Sequence, residues 1–241
     1  MKKGRKNSII VNWQNIIILK EIIMDLFDII VRAIVLMTAI PIHEAAHAYV
    51  ADKLGDPTAK YMGRLTINPM AHFDLMGSIA MIMFGIGWAK PVPINPRNFR
   101  DQKKGMAISA AAGPISNVIV AAISLAVAKL LMYVTYAGGA NTAVSTLFTI
   151  FRSMCYINIS LAIFNLIPIP PFDGSRIFNY FLPDKFYFKI MEYERYIFIG
   201  LFVLLFTGIL NWPLSILSGI VFNVVDKLTI FVDIIGRTFI L

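Results

Sequence analysis

Three long stretches of this chain carry almost no charge, and they limit its possible folds more than any other feature. Residues 106–134 contain only Lys129, residues 143–172 only Arg152, and residues 196–225 no charged side chain at all. A helix that crosses the hydrocarbon core of a bilayer needs about 20 mostly apolar residues, so the first two stretches read as spans. In the third, Asn211-Trp212-Pro213 interrupts the run, and the proline divides a short span from a last helix running toward Phe231, which gives a fourth and a fifth helix. Composition agrees: 58% of the residues are hydrophobic and 15% charged, whereas soluble domains carry roughly 45–50% and about 25%. This argues against a soluble single-domain enzyme, and 18 Phe, 9 Tyr and 3 Trp rule out a disordered chain. The one cysteine, Cys155, leaves no intrachain disulfide and no Cys-based zinc site, and reads as a small buried hydrophobe. A net charge of +8 at so low a charge density points to the anionic inner face of a membrane, not to nucleic acid.

The remaining text is less regular. Residues 29–50 form a further apolar stretch, interrupted by Arg32, His43, Glu44 and His47. Residues 75–89, punctuated by Gly77, Gly85 and Gly87, are short for a span and suit a re-entrant or hairpin element buried in protein. In residues 90–104 prolines alternate with apolar residues, which favours extended backbone, a strand or edge at the membrane surface. At the N-terminus a basic start precedes apolar residues broken by Asn12, Gln14 and Asn15, so a cleaved signal peptide is not expected and residues 9–19 read as an amphipathic surface helix. The expected organisation is a basic, amphipathic segment over residues 1–28, a core over 29–190 and C-terminal transmembrane helices over 191–241. The fold class is an all-α polytopic membrane protein of about 4–6 transmembrane helices, with the re-entrant or β-hairpin element following the helix that holds His43.

His43-Glu44-Ala45-Ala46-His47 carries the chemistry. Histidines four residues apart share one helix face and can reach a single Zn²⁺, and the adjacent glutamate can take a proton from water that the metal activates. Ionisable groups at membrane depth cost a few kcal/mol each, which weighs against a merely structural polar cluster. Zinc in a hydrolase usually has three protein ligands and an open position. The third could come from His72, Asp74 or Asp173, or less well from Asp52 or Asp56. The segment Asn165-Leu166-Ile167-Pro168-Ile169-Pro170-Pro171-Phe172-Asp173-Gly174 favours Asp173, because its prolines break a span and Gly174 permits a turn.

Together the two motifs resemble the site-2 protease family of intramembrane zinc metalloproteases, peptidase family M50. HEAAH matches the family's HExxH, and NLIPIPPFDG its Asn-x-x-Pro-x-Pro-x-x-Asp-Gly element; GRLTINPMAHFDLMGS, GWAKPVPINPRNF and AGPISN resemble its short prokaryotic branch, which lacks PDZ and CBS domains. The resemblance covers about residues 35–180. It implies one zinc per chain, held by His43, His47 and Asp173, with Glu44 as catalytic base and Asn165 positioning or stabilising the reacting carbonyl. Its implied partners are a transmembrane protein or peptide substrate and the lipid bilayer, and its implied location is the cytoplasmic membrane of a prokaryote, crossed several times. His72 then takes a structural or supporting role, and Asn117 after Gly113-Pro114 lies close to the motif helix or makes an ordinary interhelical bond.

Such a protease must admit water to a site below the lipid surface and bind a locally unwound substrate, for which residues 90–96 could offer an exposed edge. A metal-ion transporter or a non-catalytic scaffold derived from the same family is the alternative. Lys90, Arg97, Arg100, Lys103 and Lys104 oppose only Asp101 in one connection, while residues 136–142 have no charge, so the positive-inside rule places the first in the cytoplasm and the second outside. The basic N-terminus then implies that either residues 75–89 cross the membrane fully or the N-terminal segment makes an excursion of its own. Sequence leaves that question, the substrate and the oligomeric state open.

Overall fold

The computed structural model describes residues 13–84, 89–183, 185, 189–190 and 192–239. Helix α1 (Trp13–Lys53) is followed by the short helices α2 (Thr58–Tyr61), α3 (Pro69–His72) and α4 (Leu75–Phe84). Extended backbone at 89–95 and a 3₁₀ turn (Pro96–Asn98) lead into α5 (Gln102–Val134) and its π-helical end (Thr135–Gly139). Then come α6 (Thr142–Asn165), α7 (Asp173–Asn179), α8 (Glu194–Phe206), α9 (Asn211–Leu228) and α10 (Ile230–Phe239). Side chains before the long helices set where they start: Asp101 accepts the Lys104 N–H at 3.0 Å, and Asn141 accepts that of Val144 at 2.9 Å.

Among the described residues, three helical stretches are long and apolar enough to cross a bilayer: Ile29–Lys53, Gln102–Gly139 and Thr142–Asn165. The pair α9 and α10, bent by 48°, makes a fourth if it counts as one span. Their packing is that of a protein dissolved in lipid. Ile115, Ile119 and Ile123 of α5 and Ile220, Val224 and Leu228 of α9 face outward, whereas His43, His47, Ser109, Asn117, Asn158 and Asp173 are buried. The chain is thus an all-α, polytopic membrane protein, and among the described residues there is no strand.

Several local expectations change. Residues 13–19 belong to the 41-residue helix α1 and form no separate surface helix, while residues 9–12 lie outside the described residues. Residues 89–95 are extended but pair with no strand, and Lys103 and Lys104 already belong to α5. The break after α8 falls at Gly208, whose φ of +73° suits glycine, and not at Pro213. Pro213 sits in the first turn of α9, where its missing N–H would have no helical partner.

The excursion between the first two spans has a definite form. Helix α4 has 10 residues, about 15 Å of rise against about 30 Å of hydrocarbon. At its base the Lys90 N–H donates to the His72 carbonyl at 3.0 Å, so His72 and Lys90 lie side by side. Consequently the end of α1 and the start of α5 lie on the same side, the side of the basic connection, and the uncharged connection after α5 lies on the other.

The bent pair is fixed to α5 by charge. Lys129 reaches Asp226 Oδ1 at 2.7 Å and Asp233 Oδ2 at 2.5 Å, and the Tyr133 hydroxyl donates to Asp233 Oδ1 at 3.2 Å. The lysine is the most enclosed partner, its side chain 11% exposed beside carboxylates at 49% and 25%. Removing it leaves two acids side by side. Lys129→Met should cost about 1–3 kcal/mol, since the half-exposed Asp226 lowers the penalty below that of a fully buried pair. Thermal unfolding in detergent should show the loss, and Asp233→Asn added to Lys129→Met should recover part of it.

Candidate metal centre

Small residues let α1 and α5 approach closely. Ala48 and Ala51 on α1 are buried, as are Gly105, Ser109, Ala110, Ala112 and Gly113 on α5. A Cβ built on Gly113 would overlap the imidazole rings of both His43 and His47. No larger residue could stand there while the two rings keep their places.

The same approach orients the rings. His47 Nδ1 lies 2.8 Å from the Ser109 carbonyl oxygen, which only accepts, so Nδ1 carries the proton and Nε2 keeps its lone pair. The Ser109 hydroxyl returns a bond to the His47 carbonyl at 3.2 Å. His43 Nδ1 lies 3.1 Å from the amide of the fully buried Asn117, whose Oδ1 otherwise has no partner. Turning that amide by 180° puts Oδ1 against an Nδ1–H, satisfies the oxygen and frees the His43 Nε2 lone pair. Asn117 therefore does pack against the motif helix, and on a ring that matters.

Asp173 arrives from far along the chain. After α6 the backbone turns through 166–172, with a cis bond between Pro170 and Pro171, and Asp173 opens α7. Gly174 has no positive φ; a Cβ there would instead overlap the Leu166 and Ile167 carbonyls, so glycine is needed for close approach to the preceding loop and not for a turn. Asp173 Oδ2 lies 3.2 Å from His43 Nε2 and 3.1 Å from His47 Nε2, and the two Nε2 atoms are 3.0 Å apart. Three lone-pair-bearing atoms thus face one another in a buried spot, and Oδ2 has no hydrogen bond of its own. A cation between them removes the repulsion, and two nitrogens with one carboxylate oxygen form a donor set that zinc accepts.

The other candidate ligands are engaged elsewhere. His72, 1% exposed, reaches the Thr66 carbonyl through Nε2 at 2.8 Å and is not among the clustered ligands. Asp74 accepts the Gly77 N–H at 2.8 Å, and Asp52 pairs with Lys60 at 3.3 Å. Cys155 is buried in an apolar cluster with Ile159 and Val225. Asn165 lines the cavity beside the cluster, its amide donating to the Leu161 carbonyl at 3.0 Å.

That cavity, about 280 Å³, is lined by His43, Glu44, His47, Asn117, Asn165, Asp173 and Arg176 and by the apolar Ile40, Val92, Ile94, Leu161 and Phe172. Glu44 is half-buried, lies outside the ligand cluster and accepts the Val92 N–H at 2.9 Å. The extended wall that carries Val92 is anchored throughout. Arg64 donates to the Lys90 carbonyl at 2.6 Å and to that of Pro91 at 3.3 Å, and Asp56 accepts the Asn95 N–H and the Asn98 amide, both at 2.7 Å. The edge expected to lie open is therefore largely bonded to the protein itself. Burial alone would raise the Asp56 carboxyl, but the hydrogen bonds from Thr58, Asn98 and Asn95 outweigh it and hold the group below the usual carboxylate range.

A zinc that only braced the fold would take all four ligands from the protein; here three converge and a carboxylate waits beside them. That is the arrangement of a metallohydrolase. The family model for "Peptidase family M50" matches residues 129–207. "Putative zinc metalloprotease YwhC" of Bacillus subtilis (strain 168) is 40% identical over 187 residues, 75% of this chain and 84% of that protein. "Putative zinc metalloprotease Rip2" of Mycolicibacterium smegmatis (strain ATCC 700084 / mc(2)155) is 24% identical over 175 residues, 70% of this chain and 64% of that protein. No solved structure matches this chain. The chain belongs to peptidase family M50, the site-2 protease family.

Two substitutions test this geometry. Gly113→Ala should displace the imidazoles and remove most bound zinc, measured by metal analysis of purified protein, whereas Gly200→Ala, with open space around its Cβ, should leave zinc at one per chain. Asp56→Ala should lower the melting temperature at pH 7. Because the folded-state pKa is depressed, this stabilisation is present above the unfolded value of about 3.9 and fades as pH falls through the folded one, so the gap should narrow only below about pH 4. A gap that closes already near pH 6 would contradict the assignment.

Proposed function

We propose that the protein is an intramembrane endopeptidase that cleaves membrane-embedded protein or peptide substrates. The observation that carries this reading is the convergence of His43, His47 and Asp173 beside Glu44 inside a membrane-spanning bundle. His47 lies six residues before the end of the span Ile29–Lys53, about 9 Å along the axis, so the site sits inside one face of the membrane where water can reach it through the cavity.

In this mechanism His43, His47 and Asp173 hold the metal, and Ser109 and Asn117 fix the ring tautomers that leave both Nε2 atoms free. Bound there, zinc supplies Lewis acidity toward the scissile carbonyl and renders water nucleophilic at neutral pH. Glu44 takes a proton from the attacking water and passes it to the leaving amine. The Val92 N–H keeps one carboxylate oxygen turned toward the wall, which fixes the direction in which the other can work. Asn165 lies where its amide can meet the reacting carbonyl, and the apolar lining limits water to what the reaction consumes. The basic connection faces the cytoplasm of a prokaryotic cell, and the site opens on that side.

Glu44→Gln should reduce cleavage of a reconstituted single-span substrate by at least about 10²-fold while zinc content stays at one per chain. His43→Ala and Asp173→Ala should lose both. Zinc flux in proteoliposomes without cleavage would instead mark a transporter, and zinc retention with neither activity a scaffold.

A further inference from the structure

Arg176 follows Asp173 by one helical turn on α7 and lines the same cavity as His43, Glu44 and His47. Among the described residues of that lining it is the only lysine or arginine. It also breaks the rule by which this chain treats its enclosed cations. Arg64 donates through Nη2 to two carbonyls, though its Nε stays unpartnered, and Lys129 pairs with two carboxylates, whereas Arg176, partly buried, has no ion pair or hydrogen bond among the described residues. Two acids share its cavity and neither pairs with it: Asp173 Oδ2 is turned to the imidazoles, and Glu44 Oε2 to the Val92 N–H. A guanidinium kept unpaired in a half-enclosed, largely apolar cavity costs stability unless an anion arrives to meet it.

Resting on the proteolytic reading above, the anion follows from the reaction. Water adds its oxygen to the carbonyl carbon, the C–N bond breaks and the protons pass to the departing nitrogen, so an amide and water become a carboxylate and an ammonium group. Negative charge therefore appears on the carbonyl side of the cleaved bond, first as an oxyanion and then as a carboxylate with two oxygens. A guanidinium presents a planar fork of N–H donors matched to such an oxygen pair. We propose that Arg176 is the anion-binding residue of this site, taking the charge that develops on the reacting carbonyl and holding the new C-terminal carboxylate of the product.

The test uses the full-length, zinc-loaded protein in detergent or proteoliposomes, with wild type, Arg176→Lys and Arg176→Gln compared. Zinc content at one per chain in both variants shows that the ligand cluster is intact. With Arg176→Gln, kcat should fall about 10²-fold with KM little changed, as for loss of one donor to a developing oxyanion, and Arg176→Lys should restore part of the rate. A second readout is product inhibition: the N-terminal-side product peptide with a free carboxylate should inhibit wild type about tenfold more strongly than its C-terminal amide, and Arg176→Gln should reduce that preference. A kcat within twofold of wild type with the preference intact would overturn the proposal. A rise in KM alone would also overturn it, and would assign the arginine to an acidic side chain of the substrate. Because Glu44→Gln is measured alongside, cleavage that survives in that variant would sink the proteolytic reading itself, whereas wild-type behaviour of Arg176→Gln alone sinks only this one.

Discussion

The site depends on how closely two helices can approach. Where α1 crosses α5, Gly113 lies against both imidazoles, and the small residues on either side of it bring the backbones together. In lipid there is no hydrophobic force to drive helices into contact, so close packing and interhelical hydrogen bonds carry the association. Here both act at one point. The Ser109 carbonyl and hydroxyl bond to His47, and the Asn117 amide bonds to His43, so the contacts that join the helices also set the ring tautomers.

A second layer fixes Glu44, the proposed base. Glu44 is held by the backbone N–H of Val92, and Val92 sits on an extended wall that has no strand partner of its own. Such a segment would have many conformations if left alone. Arg64, His72 and Asp56 remove that freedom by bonding its main chain at Lys90, Pro91 and Asn95, with Asp56 completely buried. Residues far from the His43, His47 and Asp173 cluster thereby determine where the carboxylate can point. The cavity between this wall and the clustered histidines holds Glu44, Asp173 and an arginine that has no ion pair among the described residues.

Much of this was legible in the chain. Uninterrupted apolar runs gave the membrane class, because backbone polar groups in hydrocarbon must be satisfied within a helix. The four-residue spacing of His43 and His47 put both on one helix face by covalent geometry alone. The resemblance to the site-2 protease family adds Asp173, and the place of Asn117 after Gly113-Pro114 points to the motif helix. Less legible were the main-chain bond that joins His72 to Lys90 and the position of the C-terminal break, where a glycine outweighed a proline. Both depend on which local option the surrounding packing rewards, and a linear pattern does not carry that information.

The sequence by itself thus determined a polytopic helical membrane protein with a His-Glu-His motif on one helix, since periodicity and spacing are properties of neighbouring residues. Only the tertiary structure decided which groups meet. It brought Asp173 rather than His72 to the two imidazoles, set Gly113 against them, gave Glu44 its backbone partner and left Arg176 facing the cavity without one. Convergence of residues distant in sequence is fixed by helix packing and loop anchoring, and those are decided in three dimensions.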